Sequence, residues 1–357
     1  MRPHFVKKSA GITAAVIAIS ALGLIANGST SSAAVVTSDA KTLRLGYLPN
    51  VTSALALVGV NNGIFQQSLG KTRLETVVFN AGPSAVEAIF AGSIDAAFLG
   101  PAPAITAFTR SKGEAIRIVS GAASGGAELI VQPGITSAAQ LAGKQIGTPQ
   151  LGGTQDVALR YWLKKNGLPA PITGGGKVTV IPEENATSLL LFQRKTIAGA
   201  WLPEPWASRL VLEAGGKVLV NERDLWPHGS FVTTHLVVST SYLYAHPQTI
   251  TKLLQGELST LKVLTSDSAK AMLSVNAALA KLTGKELPKD VMARAWQETQ
   301  ITVDPLAWTL RTEALHSVAV GVGTSSKLSG IYDLSLLNAL LRAQGKPTMR
   351  AAGLGKE

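Results

Sequence analysis

Four short loops in this chain combine small residues with hydroxyl, amide or proline side chains. They are 80–84 (NAGPS), 100–103 (GPAP), 151–155 (LGGTQ) and 203–206 (PEPW). Small residues let a ligand approach the backbone, and the N–H groups at a helix start attract anions with help from the helix dipole. If the loops converge, they form a binding site for an oxyanion. The same residue types also suit ordinary strand-to-helix turns, so the hypothesis depends on that convergence.

The candidate side chains in and near these loops each have a second possible role. Ser84 and Thr154 can donate a hydroxyl to a ligand or cap a helix, and Glu204 suits capping better than ligand binding. Tyr47 and Trp206 can wall the site or pack inside a lobe. The predicted ligand contacts are Tyr47, Gly82, Pro83, Ser84, Gly100, Pro101, Gly153, Thr154, Gln155, Glu204, Trp206 and Thr234.

The sequence lacks the common patterns of catalysis. It contains no Cys, no Gly-x-Ser-x-Gly turn, no Walker loop and no His-Glu-x-x-His pair. The five His residues are dispersed, and His228 and His235 have no carboxylates placed to complete a metal site. The sequence therefore predicts a binding protein with no cofactor and no metal, and not an enzyme.

Residues 1–34 have the composition of a secretory signal. Basic residues precede an apolar run at 10–26, and small residues follow at 29–34. The run is too short for a convincing membrane anchor. Asn27 stands where a lipoprotein signal would have Cys, so lipid attachment to Cys is excluded. We expect export to the periplasm or to the outer face of the cytoplasmic membrane or cell wall.

The charge of the chain favours acidic partners. The formal net charge is +11, and removal of the predicted signal with its three cations leaves about +8. Such a surface suits acidic solutes. Lys and Arg are scattered singly and not interleaved with aromatic residues, so nucleic acid is not predicted as a partner. About 320 residues without disulfides suffice for two domains with apolar cores, and we expect a monomer.

Short β-branched segments alternate with amphipathic segments from residue 43 to residue 220. This alternation is typical of βαβ units around a mostly parallel sheet. The predicted strands are 43–48, 74–79, 94–99, 116–120, 129–132, 145–148, 178–181, 198–201 and 218–220. The predicted helices are 53–61, 84–91, 102–111, 154–166, 186–194, 205–214, 242–264, 266–282, 289–299, 305–318 and 333–343, followed by a frayed tail from Gln344.

An internal repeat indicates two similar lobes. Residues 94–99 (IDAAFL) align with 197–202 (IAGAWL) at an offset of 103, although chance similarity between two βαβ segments is the alternative. Two extended segments, 127–132 and 231–239, are predicted to carry the chain between the lobes. The predicted division is lobe 1 at 41–130 and 235–345, and lobe 2 at 131–234.

Several phrases resemble the nitrate, sulfonate and taurine solute-binding family of ABC importers. They are 43–47 (LRLGY), 62–65 (NGIF), 82–84 (GPS), 91–96 (AGSIDA) and 141–147 (LAGKQIG). The resemblance covers about residues 43–265 and is specific only in combination. It implies a two-lobed periplasmic-binding-protein-like fold of type II. Each lobe would be a doubly wound mixed sheet flanked by helices, joined by two crossover hinge strands.

The resemblance also implies how such a protein acts. It would capture a small anionic organic solute by hinge closure and deliver it to a membrane permease driven by an ATPase. An aliphatic sulfonate fits best, while nitrate, taurine, a thiamine-precursor pyrimidine or a secreted sensor role are alternatives. Enzymatic relatives depend on a Cys that is absent here. The Gly- and Pro-rich insertion at 168–177 has no assigned role.

Overall fold

The computed structural model describes residues 39–357, and the predicted signal at 1–34 lies outside the described residues. In this part of the chain no helix combines the length and apolarity needed to cross a membrane. The strands are β1 (Thr42–Tyr47), β2 (Arg73–Val78), β3 (Ala96–Leu99), β4 (Ile116–Gly125), β5 (Ala127–Val131), β6 (Gln145–Thr148), β7 (Thr179–Pro182), β8 (Gly199–Pro203), β9 (Lys217–Asn221), β10 (Val232–Ser239), β11 (Thr299–Ile301), β12 (Tyr332–Asp333) and β13 (Gly355–Lys356).

Helices pack against these strands. They are α1 (Ala54–Asn61), α2 (Ile64–Leu69), α3 (Gly82–Phe90), α4 (Pro101–Arg110), α5 (Thr154–Lys165), α6 (Asn185–Gln193), α7 (Trp206–Ala214), α8 (Thr240–Ala245), α9 (Pro247–Ser266), α10 (Ser268–Thr283), α11 (Lys289–Glu298), α12 (Ala307–Ala319) and α13 (Ser335–Ala343). Each predicted strand and helix has an observed counterpart.

The strands form two mixed sheets. The large sheet has the order β13-β12-β4-β10-β3-β1-β2, with β11 paired to β4, and the small sheet has the order β7-β6-β8-β5-β9. We call residues 39–125 and 232–357 the large lobe, and residues 127–221 the small lobe. The predicted α/β fold with two lobes is confirmed.

The chain changes sheets at two places. The chain passes from β4 in the large sheet to β5 in the small sheet at Gly126. The φ angle of Gly126 is +72°, a left-handed value that favours glycine. The chain returns through residues 222–231, and β10 then pairs entirely within the large sheet. The predicted lobe boundaries stay a prediction. The change from the large sheet to the small sheet lies a few residues before position 131, the predicted start of lobe 2.

The two lobes share one topology at their centres. β1 pairs in parallel with β2 and β3, and β6 pairs in parallel with β7 and β8. A Cβ on Gly46 would lie 2.9 Å from Ile94 Cδ1, and one on Gly147 would lie 3.2 Å from Ile197 Cδ1. Ile94 and Ile197 are 103 residues apart, so the sequence repeat corresponds to a repeated packing contact.

Three predictions about local structure need correction. The predicted helix 242–264 is two helices, because Pro247 lacks the N–H that would continue α8 and instead begins α9. The helix α2 was missed. The tail from Gln344 is not frayed: Ala351 and Leu354 are buried, and β13 pairs with β12. These two apolar side chains hold the tail against the large lobe.

Glu257 on α9 is a buried carboxyl group in the core of the large lobe. Neither of its carboxyl oxygens has a hydrogen-bond partner in the described part of the chain. Burial raises the pKa of Glu257 to about 8, and the nearby Ser120, whose hydroxyl donates to the Gly121 carbonyl, has a smaller, opposite effect. Glu257 is therefore mainly protonated in the folded protein at pH 7.

We expect Glu257→Gln to stabilise the protein at high pH. The folded-state pKa exceeds the unfolded value near 4.5, so wild-type stability falls as pH rises from about 4.5 to about 8, by up to roughly 1.4 kcal/mol per pH unit. The amide cannot ionise, so the variant loses this dependence. Urea unfolding at pH 5, 7 and 9 measures it, with the exposed Glu114→Gln as control. Equal pH slopes in wild type and Glu257→Gln would contradict the prediction.

Candidate functional site

The loops predicted to bind a ligand meet between the two lobes. They follow the carboxyl ends of β2 and β3 in the large lobe and of β6 and β8 in the small lobe, where open α/β sheets bind ligands. The cavity is about 30 Å³ in volume, which is room for roughly two water molecules. We call it the cleft cavity. Its lining residues are Leu48, Asn50, Thr52, Asn80, Ala81, Gly82, Gly100, Pro103, Pro149, Gly153, Thr154, Gln155, Asn185, Pro203, Thr233 and Thr234.

Four helices begin at the cleft cavity. They are α3, α4, α5 and α6, and in none of them does the N-cap side chain accept a hydrogen bond. The first N–H groups of a helix have no partner within the helix and carry its positive dipole end. Prolines remove some of these donors at the starts of α3 and α4, whereas α5 and α6 have none in their first turns. The cleft thus gathers N–H donors from both lobes.

Two buried polar atoms at the cleft cavity have no hydrogen-bond partner. They are Thr154 Oγ1 and Asn185 Oδ1, within the described residues. A buried polar group without a partner costs about 1–3 kcal/mol, so its persistence points to a group that completes it. Thr154 can donate its hydroxyl, and rotation of the Asn185 side chain presents either its amide N–H or its carbonyl. Both are suited to hydrogen-bond an oxyanion.

Among residues 39–357, those that line the cleft cavity carry no charged side chain. Neutral donors and helix dipoles are therefore its means of attracting an anion. A fully ionised anion such as a sulfonate accepts hydrogen bonds and donates none, so it needs no carboxylate opposite it. In residues 39–357, no group of three or more His, Asp or Glu could hold a metal ion.

Polar contacts join the lobes on either side of the cavity. The indole Nε1 of Trp206 donates to Asn50 Oδ1 at 3.2 Å, and the Ser84 hydroxyl and the Gln150 amide share a hydrogen bond at 3.1–3.2 Å. Asn80 also donates to the Glu184 carboxylate across the cleft. These contacts require the lobes to be close together, so the structure is the closed arrangement.

Gly100 lies where the two lobes approach each other closely. A Cβ at this position would lie 2.2 Å from Thr154 Oγ1 on the small lobe. Real Cβ atoms do not approach another heavy atom so closely, so glycine is the residue that permits this degree of closure. Thr154 is thereby held against the large lobe while its hydroxyl faces the cleft.

The structure brings about half of the predicted ligand contacts to the cleft cavity. Those in its lining are Gly82, Gly100, Gly153, Thr154, Gln155 and Thr234. The others lie nearby with different neighbours: Pro101 is buried at the start of α4, Pro83 faces a second cavity, and Ser84 and Trp206 join the lobes. Tyr47 packs in the core of the large lobe, the alternative left open for it.

The most informative residue missed from the sequence is Asn185, at the start of α6. It lies 103 residues after Gly82, at the start of α3, so the offset that revealed the repeat also relates these two helix starts. Applying that offset to the predicted contacts would have found it. The other polar lining residues outside the predicted contacts are Asn50, Thr52, Asn80 and Thr233, of which Asn80 belongs to the predicted loop 80–84.

Glu204 lies behind the cleft in a buried ion cluster and not at the ligand. Its carboxylate accepts the N–H of Ser208 at 3.0 Å, which is the capping role, and pairs with Arg294 at 3.0 Å. Arg294 also pairs with Glu128 at 2.7 Å. Burial raises the pKa of Glu204 to about 7, and the neighbouring Glu128 adds to this rise, because Arg294 does not fully offset the loss of solvent.

Two α/β lobes around an interlobe cleft define the periplasmic-binding-protein class of folds. Within that class the chain belongs to the NMT1-like family, whose model matches residues 37–278. A Brucella abortus (strain 2308) protein, named only as a binding protein, is 29% identical over 172 residues. That alignment covers 47% of this chain and 50% of the relative, so the chain spans about half the length of the curated relatives it matches.

Solved structures share the fold at low sequence identity. The alkanesulfonate-binding protein SsuA of Xanthomonas axonopodis pv. citri, bound to MOPS, has a TM-score of 0.68 and 22% identity, covering 81% of this chain and 96% of that chain. The nitrate-binding protein NrtA of Synechocystis PCC 6803 has a TM-score of 0.70 and 15% identity, covering 88% and 91%. At these identities the likeness establishes the fold alone.

Proposed function

We propose that this protein is an extracytoplasmic solute-binding protein of an ABC importer and that it captures a small organic anion, an aliphatic sulfonate, by closure of its lobes. One observation carries the proposal. Within the part of the chain that the structure describes, Thr154 Oγ1 and Asn185 Oδ1 are buried without partners among four uncapped helix starts, and the cleft lining has no charged side chain. The solved relatives that bind an alkanesulfonate or nitrate support an oxyanion ligand.

The lining favours a sulfonate over two of the other ligands considered. Taurine would bring an ammonium group to a lining that has no carboxylate. A thiamine-precursor pyrimidine would lack an aromatic partner, since the lining contains no Phe, Tyr or Trp. Nitrate satisfies the same donors as a sulfonate and stays the second candidate, because the closed cleft cavity is small.

An anion between the lobes would drive closure by electrostatics. When the lobes close, the positive dipole ends of α3 and α4 face those of α5 and α6, which is unfavourable without a negative charge between them. A sulfonate in this position contacts both lobes and stabilises the closed state relative to the open one. The closed protein would then dock on a membrane permease, whose ATPase drives release of the solute.

Removal of the two unpartnered groups tests the proposed site. We expect Thr154→Ala and Asn185→Ala each to weaken butanesulfonate binding by roughly tenfold to a hundredfold, because a hydrogen bond to a charged group contributes about 1.5–3 kcal/mol. Isothermal titration calorimetry measures the dissociation constants. The matched control is Ser84→Ala, whose hydroxyl bonds Gln150 and lies outside the lining of the cleft cavity, and we expect at most a few-fold change.

The calorimetry also decides between ligands. Nitrate, taurine and a pyrimidine precursor are titrated beside the sulfonate. Binding of nitrate in its place, with the same loss in Thr154→Ala, would keep the oxyanion site and reject the sulfonate. Binding of the pyrimidine alone, unaffected by either variant, would reject the site itself.

A further inference from the structure

A second, larger cavity adjoins the cleft cavity and has an apolar lining. Its volume is about 360 Å³, within the range of small-molecule sites. The apolar side chains that line it are Pro83, Val86, Pro103, Leu151, Ile172 and Val322. They come from both lobes, and Val322 of the large lobe lies in the turn after α12. This cavity, like the first, therefore depends on the lobes being close. We call it the side cavity.

The side cavity and the proposed anion site are neighbours that share part of their walls. Pro103 lines both cavities. Gly82 and Gly153 line the cleft cavity, while their chain neighbours Pro83 and Gly152 line the side cavity. A group attached to an anion in the cleft would therefore lie close to the side cavity.

Exposed apolar side chains converge on the side cavity. Leu151 is 47% exposed and Ile172 is 43% exposed. Each square ångström of apolar surface left in water costs about 25 cal/mol, so these residues gain from an apolar occupant. Ile172 belongs to the insertion at 168–177, which the oxyanion site leaves unexplained.

A buried ion pair holds the insertion and the cleft loop in one arrangement. Asp156 accepts the N–H of Gly152 at 3.0 Å and pairs with Arg160 at 3.0 Å. The Arg160 guanidinium in turn donates to the carbonyl of Ala170 at 2.7 Å. The contacts of Asp156 and Arg160 thus hold the two segments that carry Leu151 and Ile172, and these two side chains form one wall of the side cavity.

The side cavity also holds one polar atom without a partner. Thr106 Oγ1 is buried and has no hydrogen-bond partner among the described residues. At the outer rim, Arg110 pairs with Glu87 at 2.6 Å. The side cavity is therefore lined mainly by apolar side chains, with the Thr106 hydroxyl inside it and the Arg110–Glu87 ion pair at its rim.

We propose that the side cavity binds the apolar part of the solute, so that the substrate class is organosulfonates with an alkyl portion long enough to reach the side cavity. This inference rests on the proposed function, which places the sulfonate in the cleft cavity. The insertion at 168–177 then determines specificity, since it supplies Ile172 as the outer wall. Short anions bind the same donors but leave this wall exposed to water.

A series of alkanesulfonates tests the inference by calorimetry. From methanesulfonate through butanesulfonate to hexanesulfonate, we expect affinity to rise about threefold to fourfold per methylene as each one is buried. The double variant Ile172→Ser with Val322→Ser is expected to lose about tenfold for hexanesulfonate and much less for methanesulfonate. Leu212→Ser is the matched control, 45% exposed on α7 and outside both cavities, and should change neither value.

Three different outcomes would overturn the inference. If all three sulfonates bind equally well and Thr154→Ala weakens each, the proposed function stands and the side cavity is not a solute site. If no sulfonate binds, the proposed function fails and this inference fails with it. Equal losses for hexanesulfonate in Leu212→Ser and in the double variant would also reject it.

Discussion

Gly100→Val is expected to weaken solute binding by roughly tenfold to a hundredfold. The reason is steric: a Cβ at this position would lie 2.2 Å from Thr154 Oγ1 and 3.3 Å from Thr154 Cβ, which lie on the other lobe. Overpacking of this kind costs about 1–3 kcal/mol, and here the cost falls on the closed state. The backbone at Gly100 is extended (φ −74°, ψ 163°), a conformation that Val readily adopts before Pro101.

Small-angle scattering and calorimetry together measure this prediction. With ligand, the wild-type radius of gyration should fall on closure, and that of Gly100→Val should fall less. Gly147→Ala is the control, because its added Cβ meets Ser188, Ile197 and Ala200 within the small lobe. It should lower stability without blocking closure. Normal affinity in Gly100→Val would show that the bound state is more open than this structure.

Arg294→Met is expected to destabilise the protein by about 3–5 kcal/mol, the usual cost of leaving a buried charge unpaired. The Arg294 guanidinium pairs with Glu128 and Glu204 and donates to the Ser208 hydroxyl at 2.9 Å. Both carboxylates are buried, so neither can turn to solvent when Arg294 is removed. Without Arg294 their pKa values rise further, and the loss grows as pH rises through neutrality.

Urea unfolding at pH 6 and pH 8 measures the effect of Arg294→Met. Replacement of both carboxylates as well, in Arg294→Met with Glu128→Gln and Glu204→Gln, should restore most of the lost stability because no unpaired charge remains. Arg73→Met is the control: the Arg73 and Glu75 side chains are 72% and 42% exposed, so this pair lies at the surface and we expect a change within about 0.5 kcal/mol. An equal loss in the triple variant would show that packing, and not charge, explains the effect.

Some parts of the site could be read from local pattern. Thr154 and Gly153 follow a β-branched strand and precede an amphipathic helix, and that order alone places them at a strand end. The position of Asn185 at a strand-to-helix turn could also have been predicted, because the repeat relates it to Gly82. Such residues are predictable because a turn from a strand to a helix lies at the carboxyl end of that strand, which is the edge of the sheet where ligands bind.

Other parts of the site depend on contacts between distant segments. The side cavity joins Pro83, Leu151, Ile172 and Val322, which share no spacing or motif. The cluster around Arg294 joins α11 to β5 and α7, and nothing in the residues around position 294 distinguishes it from an exposed arginine. Such groupings follow from how helices pack over two sheets.

The sequence by itself determined the βαβ elements, the two-lobed α/β class and the loops that line the cleft, because hydrophobic periodicity and turn chemistry act over a few residues. Only the tertiary structure decided which side chains of those loops face the cleft, how closely Gly100 approaches Thr154, and what the insertion at 168–177 does. It also placed the tail of Ala351 and Leu354 in the large lobe. These features depend on the burial of apolar surface between segments far apart in the chain, a free energy that no local pattern encodes.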